Sequence, residues 1–243
     1  MRRFEGQICL LTASATGIGL AIAERLASEG AKVVLSSRSQ VHVDQAVAQL
    51  RAKGYTASGI AAWAERDYQR LVEFTVQTYG GVDLVVANAA ISRHIGKFCE
   101  TSAEITRKTF EVNTFAPFFL VQAALPYLRK SKSPAVLFNG TNITFYPSPK
   151  VGMYAASKLA MIGISQLLAL ELAAEGIRCN VLSPGLIDTR FGGLMKDWVK
   201  IIPMRRAGKV EEVANLAAFL LSPQAQGVTG ACISLSGGLP NRL

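Results

Sequence analysis

Gln7-Ile8-Cys9-Leu10-Leu11-Thr12-Ala13-Ser14-Ala15-Thr16-Gly17-Ile18-Gly19 is the stretch that decides the fold. Residues 7–11 form an apolar run of strand length, residues 12–19 are nearly all small, and Leu20, Ile22, Ala23 and Leu26 follow at helical spacing until Gly30. In a strand, small-residue turn and helix of this kind, free N–H groups at the helix start can meet a pyrophosphate. The small residues let the backbone approach it. A glycine pair alone is weak evidence, and its place between strand and helix gives dinucleotide binding its weight. About twenty residues further on, an NAD site carries Asp or Glu for the ribose 2′-hydroxyl. Here the chain has Ser36-Ser37-Arg38, which suits a 2′-phosphate; the plain alternative is an ordinary loop cation.

The same alternation continues along the chain. Strands are expected at 32–35, 59–62, 82–86, 135–138, 178–182 and 231–235, with helices at 44–53, 67–79, 103–128, from 154 onward and at 210–221. Alternating β and α elements predict an α/β fold with one parallel sheet covered on both faces. Ligands of such sheets bind at the carboxyl ends of the strands, where Asn88-Ala89-Ala90 and Asn139-Gly140-Thr141 stand. Asn113 falls near the middle of the long helix, where Asn is mildly unfavourable and ordinarily solvated.

Tyr154-Ala155-Ala156-Ser157-Lys158 opens an apolar helix through Leu159, Met161, Ile164, Leu167, Leu168 and Leu170. Tyr154 and Lys158 then share one face, one turn apart. A phenol with a pKa near 10 is a poor acid and a worse base unless its anion is stabilised, and an ammonium one turn away would do so. The pair is a candidate general acid/base; the competing reading is a surface Tyr beside a solvated Lys.

Composition narrows the field. A chain of 243 residues, half of them apolar, can bury a large core, and no linker divides it, so 1–243 is expected to be a single domain. Only six residues precede the first strand, so no signal or transit peptide is expected. Charge or Gly interrupts the apolar runs, so no transmembrane helix is expected. Four cysteines without C-x-x-C spacing suggest reduced thiols, and two histidines leave little room for a metal site or a Ser-His-Asp triad; no metal is expected. Lys and Arg are dispersed, so the net charge of +9 fits a phosphate-bearing cofactor as well as nucleic acid, and no nucleic-acid partner is expected.

Taken together, Thr12 to Gly19, Asn88-Ala89-Ala90, Asn113, Tyr154 to Lys158, and Pro184-Gly185 with Thr189 resemble the short-chain dehydrogenase/reductase family along essentially the whole chain. The resemblance implies a Rossmann-type, doubly wound, seven-stranded parallel sheet, a nicotinamide cofactor, and reversible carbonyl reduction. By it Asn113 would hold a water of a proton relay, Thr141 would take the place of the family's Ser, Tyr154 would be the acid/base, and Lys158 would bind the nicotinamide ribose and depress the Tyr154 pKa. Thr12, Ser14, Gly17, Ile18, Gly19, Ser37, Arg38, Ala62, Asn88, Ala89, Tyr154, Lys158, Pro184, Gly185, Ile187 and Thr189 would line the cofactor. Arg3-Phe4-Glu5-Gly6, Ser36-Ser37-Arg38 and the tail 237–243 are similar to a peroxisomal NADP-dependent carbonyl reductase and retinol dehydrogenase subgroup whose members end in Ser-Arg-Leu. This chain ends in Asn241-Arg242-Leu243, carries Ala13 for the first glycine and Ala61 for an adenine-contacting Asp, and has a shorter segment at 189–205, where a substrate lid is expected. The resemblance thus implies a homotetrameric NADP(H)-dependent reductase of hydrophobic ketones and aldehydes, such as retinal, aromatic ketones or dicarbonyls, in the peroxisome or otherwise the cytoplasm. Two alternatives stay open: a 3-oxoacyl thioester reductase docking an acidic carrier through Arg129 and Lys130, and a non-catalytic nucleotide-binding relative.

Overall fold

The computed structural model describes residues 2–189 and 198–240. Seven strands form one sheet: β1 (Ile8–Leu11), β2 (Lys32–Ser37), β3 (Ala57–Ala61), β4 (Leu84–Ala87), β5 (Ala135–Asn139), β6 (Arg178–Pro184) and β7 (Cys232–Leu235), in the order β3-β2-β1-β4-β5-β6-β7. Every neighbouring pair is parallel. β1, β4 and most of β2 and β5 are apolar without polar alternation because both faces are covered, while β6 carries buried Arg178 and Asn180. Cys9, Leu11, Val33, Leu35, Leu84 and Val86 face one layer of helices; Leu10, Val34, Val85, Val136 and Phe138 face the other. The first layer holds α1 (Gly17–Ser28), α2 (Gln40–Ala52) and α7 (Val210–Leu221); the second holds α3 (Tyr68–Tyr79), α5 (Ala116–Leu128) and α6 (Gly152–Leu172). β4 is the central strand with β1 beside it, and the chain crosses from one side of β1 to the other between β3 and β4. A crevice therefore opens beyond the carboxyl ends of β1 and β4.

Three elements depart from the expected pattern. α2 begins four residues early, because Ser39 accepts from the backbone N–H of His42 (3.4 Å) and caps it there. The long helix expected at 103–128 is broken: α4 (Ala103–Phe110) passes into a π-helical turn, Glu111–Phe115, before α5. The N–H of Ala116 donates to Glu111 O, five residues back. Pro117 supplies the reason, since an α-helical bond to the carbonyl of Asn113 would need an N–H that proline lacks, and its ring would crowd that carbonyl. Finally, the segment Pro149–Glu175, α6 with its flanking turns, is by length and composition apolar enough to cross a membrane. It packs on β6 and the π turn and carries Lys158 into the interior, as a core helix of the domain does.

Candidate active site

The turn after β1 is held by side chains. Ser14 is buried; its hydroxyl donates to Leu11 O (3.0 Å) and accepts from Ser36 N–H (3.1 Å). Thr12 Oγ1 accepts from the backbone N–H groups of Asn88 (3.0 Å) and Ala89 (3.1 Å), and Asn88 Nδ2 donates back to Thr12 O and Ala13 O (3.2 and 2.9 Å). Thr12, Ser14 and Asn88, expected to line the cofactor, thus clasp the ends of β1, β2 and β4 together. Gly17 adopts φ +57°, and Ala13, in place of the first glycine, takes φ +49°, a left-handed conformation costing an L-residue about 1–2 kcal/mol. At Gly19 any Cβ would stand 2.6 Å from Ala13 O and 2.7 Å from Asn88 Nδ2, so only glycine lets the helix start beneath the turn.

These features fit a dinucleotide. Among the described residues no side chain caps α1, and no acidic residue occupies its first turn. Its leading N–H groups, including that of half-buried Ile18, are left for an anion. Across the crevice, Thr189 lies against the turn: a Cβ on Gly17 would sit 3.8 Å from its Cγ2. Thr189, Pro184, Gly185 and Ile187 come from the end of β6, where a bridge between Ile187 and Gly208 and the bond from Gly185 N–H to Leu235 O (2.8 Å) hold the segment. On the β2–β3 side, Ser37 exchanges hydrogen bonds with the backbone of Ser39, buried Ala62 donates to Ser37 O (2.8 Å), and Arg38 is exposed.

The chemistry-bearing groups gather at the end of β5. The hydroxyls of Thr141 and Tyr154 are hydrogen-bonded to one another. Lys158 is buried, and its Nζ donates to the main-chain oxygen of Asn139 at 2.6 Å. Burial pushes this amine down to about 7. Tyr154 keeps part of its surface open to the crevice, yet the protein packed around it pushes its phenol up to about 12, with the Thr141 hydrogen bond opposing. The expected depression of the phenol by Lys158 is therefore not produced by the protein groups here: desolvation acts on both partners, and the ammonium donates to Asn139.

Asn113 is likewise placed but not as expected. It is fully buried, where a solvated residue was the ordinary expectation for Asn in a helix. Its Nδ2 donates to Ile91 O (2.9 Å) and Ser157 Oγ (3.0 Å), and its Oδ1 accepts from Ile91 N–H (2.8 Å). With both amide hydrogens engaged, the side chain ties the loop after β4 to α6 beside Tyr154, and a relay water held here would donate to an oxygen of Asn113. Sequence reasoning assigned no role to Asn139 or Ser157 as partners of Lys158 and Asn113. The sequence signals were their places, at a strand end and one residue before Lys158.

Ile143, Tyr146, Leu186, Trp198 and Ile202 line a narrow apolar cleft next to this cluster, and Trp198 and Tyr154 both pack against the small core of Ile143, Val151 and Ala155. A larger hollow beside Arg3, Arg25 and Glu29 lies away from the strand ends, and those three residues already pair with each other. Of the expected lid 189–205, residues 190–197 lie outside the described residues, as does the tail 241–243.

Residues 12–240 match the family model described as Enoyl-(Acyl carrier protein) reductase. The chain is 38% identical over 246 residues to dehydrogenase/reductase SDR family member 4 of Homo sapiens, covering 98% of this chain and 88% of that protein. It is 37% identical over 252 residues to tropinone reductase-like 3 of Erythroxylum coca, covering 100% and 96%. Among solved structures it is similar to a blue fluorescent protein from a metagenomic library in complex with NADPH, with TM-score 0.91 and 31% identity over 97% of this chain and 98% of that one. A 3-ketoacyl-(acyl-carrier-protein) reductase from Brucella melitensis, complexed with NADH, gives TM-score 0.91 and 29% identity over the same shares. A family model that runs through nearly the whole sequence, and relatives well above 30% identity along its length, show that the chain belongs to the short-chain dehydrogenase/reductase family of nicotinamide-dependent oxidoreductases.

Proposed function

We propose that the chain is an NADPH-dependent carbonyl reductase acting on small hydrophobic ketones and aldehydes, with retinal, aromatic ketones and dicarbonyls as the classes to try first. The observation that carries this reading is the hydrogen-bonded pair of hydroxyls, Thr141 and Tyr154, at the end of β5, beside a buried lysine and one residue from the lining of a narrow apolar cleft. When bound, the cofactor supplies the hydride. The protein's part is to hold the substrate oxygen and deliver a proton. Thr141 and Tyr154 offer two hydroxyl donors to the carbonyl oxygen, and donors fixed in advance where negative charge develops contribute much of the rate. A phenol pushed up to about 12 stays protonated through neutral pH, the form that reduction needs, although its raised pKa makes it a weaker acid than an ordinary tyrosine. Asn139 fixes Lys158, and Asn113 fixes the segment of α6 that carries Tyr154. Arg38 supports the choice of NADPH, because no carboxylate pairs with it among the described residues.

Cofactor oxidation over retinal, aromatic ketones, quinones, dicarbonyls and acetoacetyl thioester tests the proposal. Turnover of a non-thioester carbonyl with NADPH, and a preference for NADPH over NADH that Arg38→Asp erases, is the expected result. Inactivity on every substrate, or activity on the thioester alone, would overturn it. The thioester reading draws support from the Brucella melitensis relative's name. Against it, Arg129, one of the two cations expected to dock an acidic carrier, is held by Glu175 through two hydrogen bonds of 2.6 and 2.9 Å.

The proposal extends to assembly and location. Phe115 and Phe119 beside and on α5, with Leu159, Leu167 and Leu170 on α6, are exposed, Leu170 at 79%. An apolar surface of this kind supports burial against further copies of the chain, as in a homotetramer; sedimentation as a monomer at micromolar concentration would count against it. Asn241-Arg242-Leu243 differs from the Ser-Lys-Leu peroxisomal address at two positions, and peroxisomal import is proposed on that likeness. A reporter carrying the last dozen residues that stays diffuse in the cytosol would refute import.

A further inference from the structure

Two arginines converge on one indole at the carboxyl ends of β2 and β3. Arg38 follows β2, and its guanidinium carbon lies 5.5 Å from the centroid of the Trp63 ring; that of Arg66 lies 4.8 Å from the same centroid. Trp63 is half-buried and fixed by the turn that follows β3. Its N–H donates to Asp67 Oδ2 (2.8 Å), and its carbonyl accepts from the N–H groups of Arg66 (3.2 Å) and Asp67 (2.9 Å). Nearby acids have other partners. Glu65 is paired with Lys108 (2.9 Å), and Asp67 holds Trp63 N–H and lies 3.5 Å from Arg70. Ala61 and Ala62 bring no carboxylate into this corner, and the N–H of Ala61 is taken by Gln40 (2.8 Å). No salt bridge reaches Arg38 or Arg66 among the described residues, so two like charges share one ring without a counter-ion.

We propose that Arg66 is a second anion-binding guanidinium alongside Arg38, that the two grip the 2′-phosphate of an adenine dinucleotide from the β2 and β3 sides, and that Trp63 is the positioning residue that holds both. This rests on the reading that the cofactor carries a 2′-phosphate. A phosphate monoester is close to doubly charged at neutral pH and has three acceptor oxygens, which two guanidinium forks match in charge and geometry. The indole face restrains two long exposed side chains that would otherwise be ordered only by the ligand. Arg66 sits in the short turn between β3 and α3, so the grip joins two successive β-α turns rather than the β2 turn alone.

Calorimetric titration of the full chain with adenosine 2′,5′-bisphosphate and with adenosine 5′-monophosphate tests this without any turnover, because the two ligands differ only in the 2′-phosphate. Arg66→Ala is expected to weaken the bisphosphate about tenfold and the monophosphate less than about twofold, with the difference shrinking as salt rises. Trp63→Ala is expected to give the same selective loss, and Trp63→Phe, which keeps an aromatic face, to recover most of it. If the parent discriminates and Arg38→Ala abolishes discrimination while Arg66→Ala binds like the parent, the second grip is wrong and the cofactor reading stands. An Arg66→Ala protein that loses both ligands equally also overturns it, since the effect would not concern the 2′-phosphate. A parent with equal affinity for the two nucleotides overturns this proposal and the cofactor reading together.

Discussion

Lys158→Met removes the buried ammonium and keeps most of the side-chain volume, so it separates the catalytic value of the lysine from its cost to the fold. Burial lowers Lys158 from the ordinary 10.5 to about 7. At 1.36 kcal/mol per pH unit, that difference is on the order of 5 kcal/mol. The unfolded chain binds the proton below 10.5 and the folded protein only below about 7, so between those values the unfolded state holds more protons and stability rises with pH. Below pH 7 both states carry the charge, and the cost is complete. The Met variant also leaves the Asn139 carbonyl without its 2.6 Å partner, which gives back about 1–3 kcal/mol. Lys158→Met is therefore expected to be more stable than the parent by roughly 2–4 kcal/mol at pH 7, a gain that shrinks as pH rises and reverses by about pH 10, where only the cost of the unpaired Asn139 carbonyl remains, while carbonyl reduction falls by at least ~10². Urea unfolding followed by near-ultraviolet circular dichroism from pH 6 to 10 measures the first, and a cofactor-oxidation assay the second. A stability difference that does not change with pH, or a Met variant less stable at pH 7, would refute the argument that the amine is buried at a net cost.

Thr141→Val keeps the shape and removes the donor, so turnover should drop about 10²–10³ while Thr141→Ser stays active; a fully active Val variant in steady-state assays would make Thr141 a packing residue only. Because the phenol of Tyr154 sits at about 12, alcohol oxidation should climb with pH through 9 and beyond while reduction stays level over the same range; parallel pH profiles for the two directions would contradict this. Asn113→Ala should destabilise the protein by roughly 2–4 kcal/mol, as it strands the N–H and carbonyl of Ile91, and a thermal melt unchanged from the parent would show that water replaces the amide.

The sheet was legible because most of its strands obey one rule. They are short apolar runs ended by small residues, and their alternation with helices after the glycine turn points to a parallel, doubly covered arrangement. What escaped were boundaries and breaks set by single residues. The Ser39 cap extends α2 backwards although residues 40–43 show little apolar periodicity. The π turn is a consequence of Pro117 acting on a carbonyl four residues earlier, a relation that a search for apolar spacing does not see. Tyr154, Lys158, Asn113 and Thr141 were found by pattern, and the fold brings Tyr154, Lys158 and Thr141 to one strand end, with Asn113 tied to α6 beside them.

Their charge states were not legible, because sequence spacing reports which side chains share a face and not how much water they lose. One turn of helix puts an ammonium near a phenol whether the pair is on the surface or inside, and the sign of the effect depends on which. On the surface the ammonium would stabilise the phenolate. Inside, desolvation penalises both charged forms, and the lysine turns to the nearest carbonyl, that of Asn139. The same reasoning explains why Thr12, Ser14 and Asn88 look like ligand-facing groups in sequence yet clasp backbone in the fold. A strand end that must leave room for a cofactor exposes its own N–H and carbonyl groups, and short polar side chains are the ones that can satisfy them without filling the space. Small polar residues at such a turn are fitted to its own hydrogen bonds.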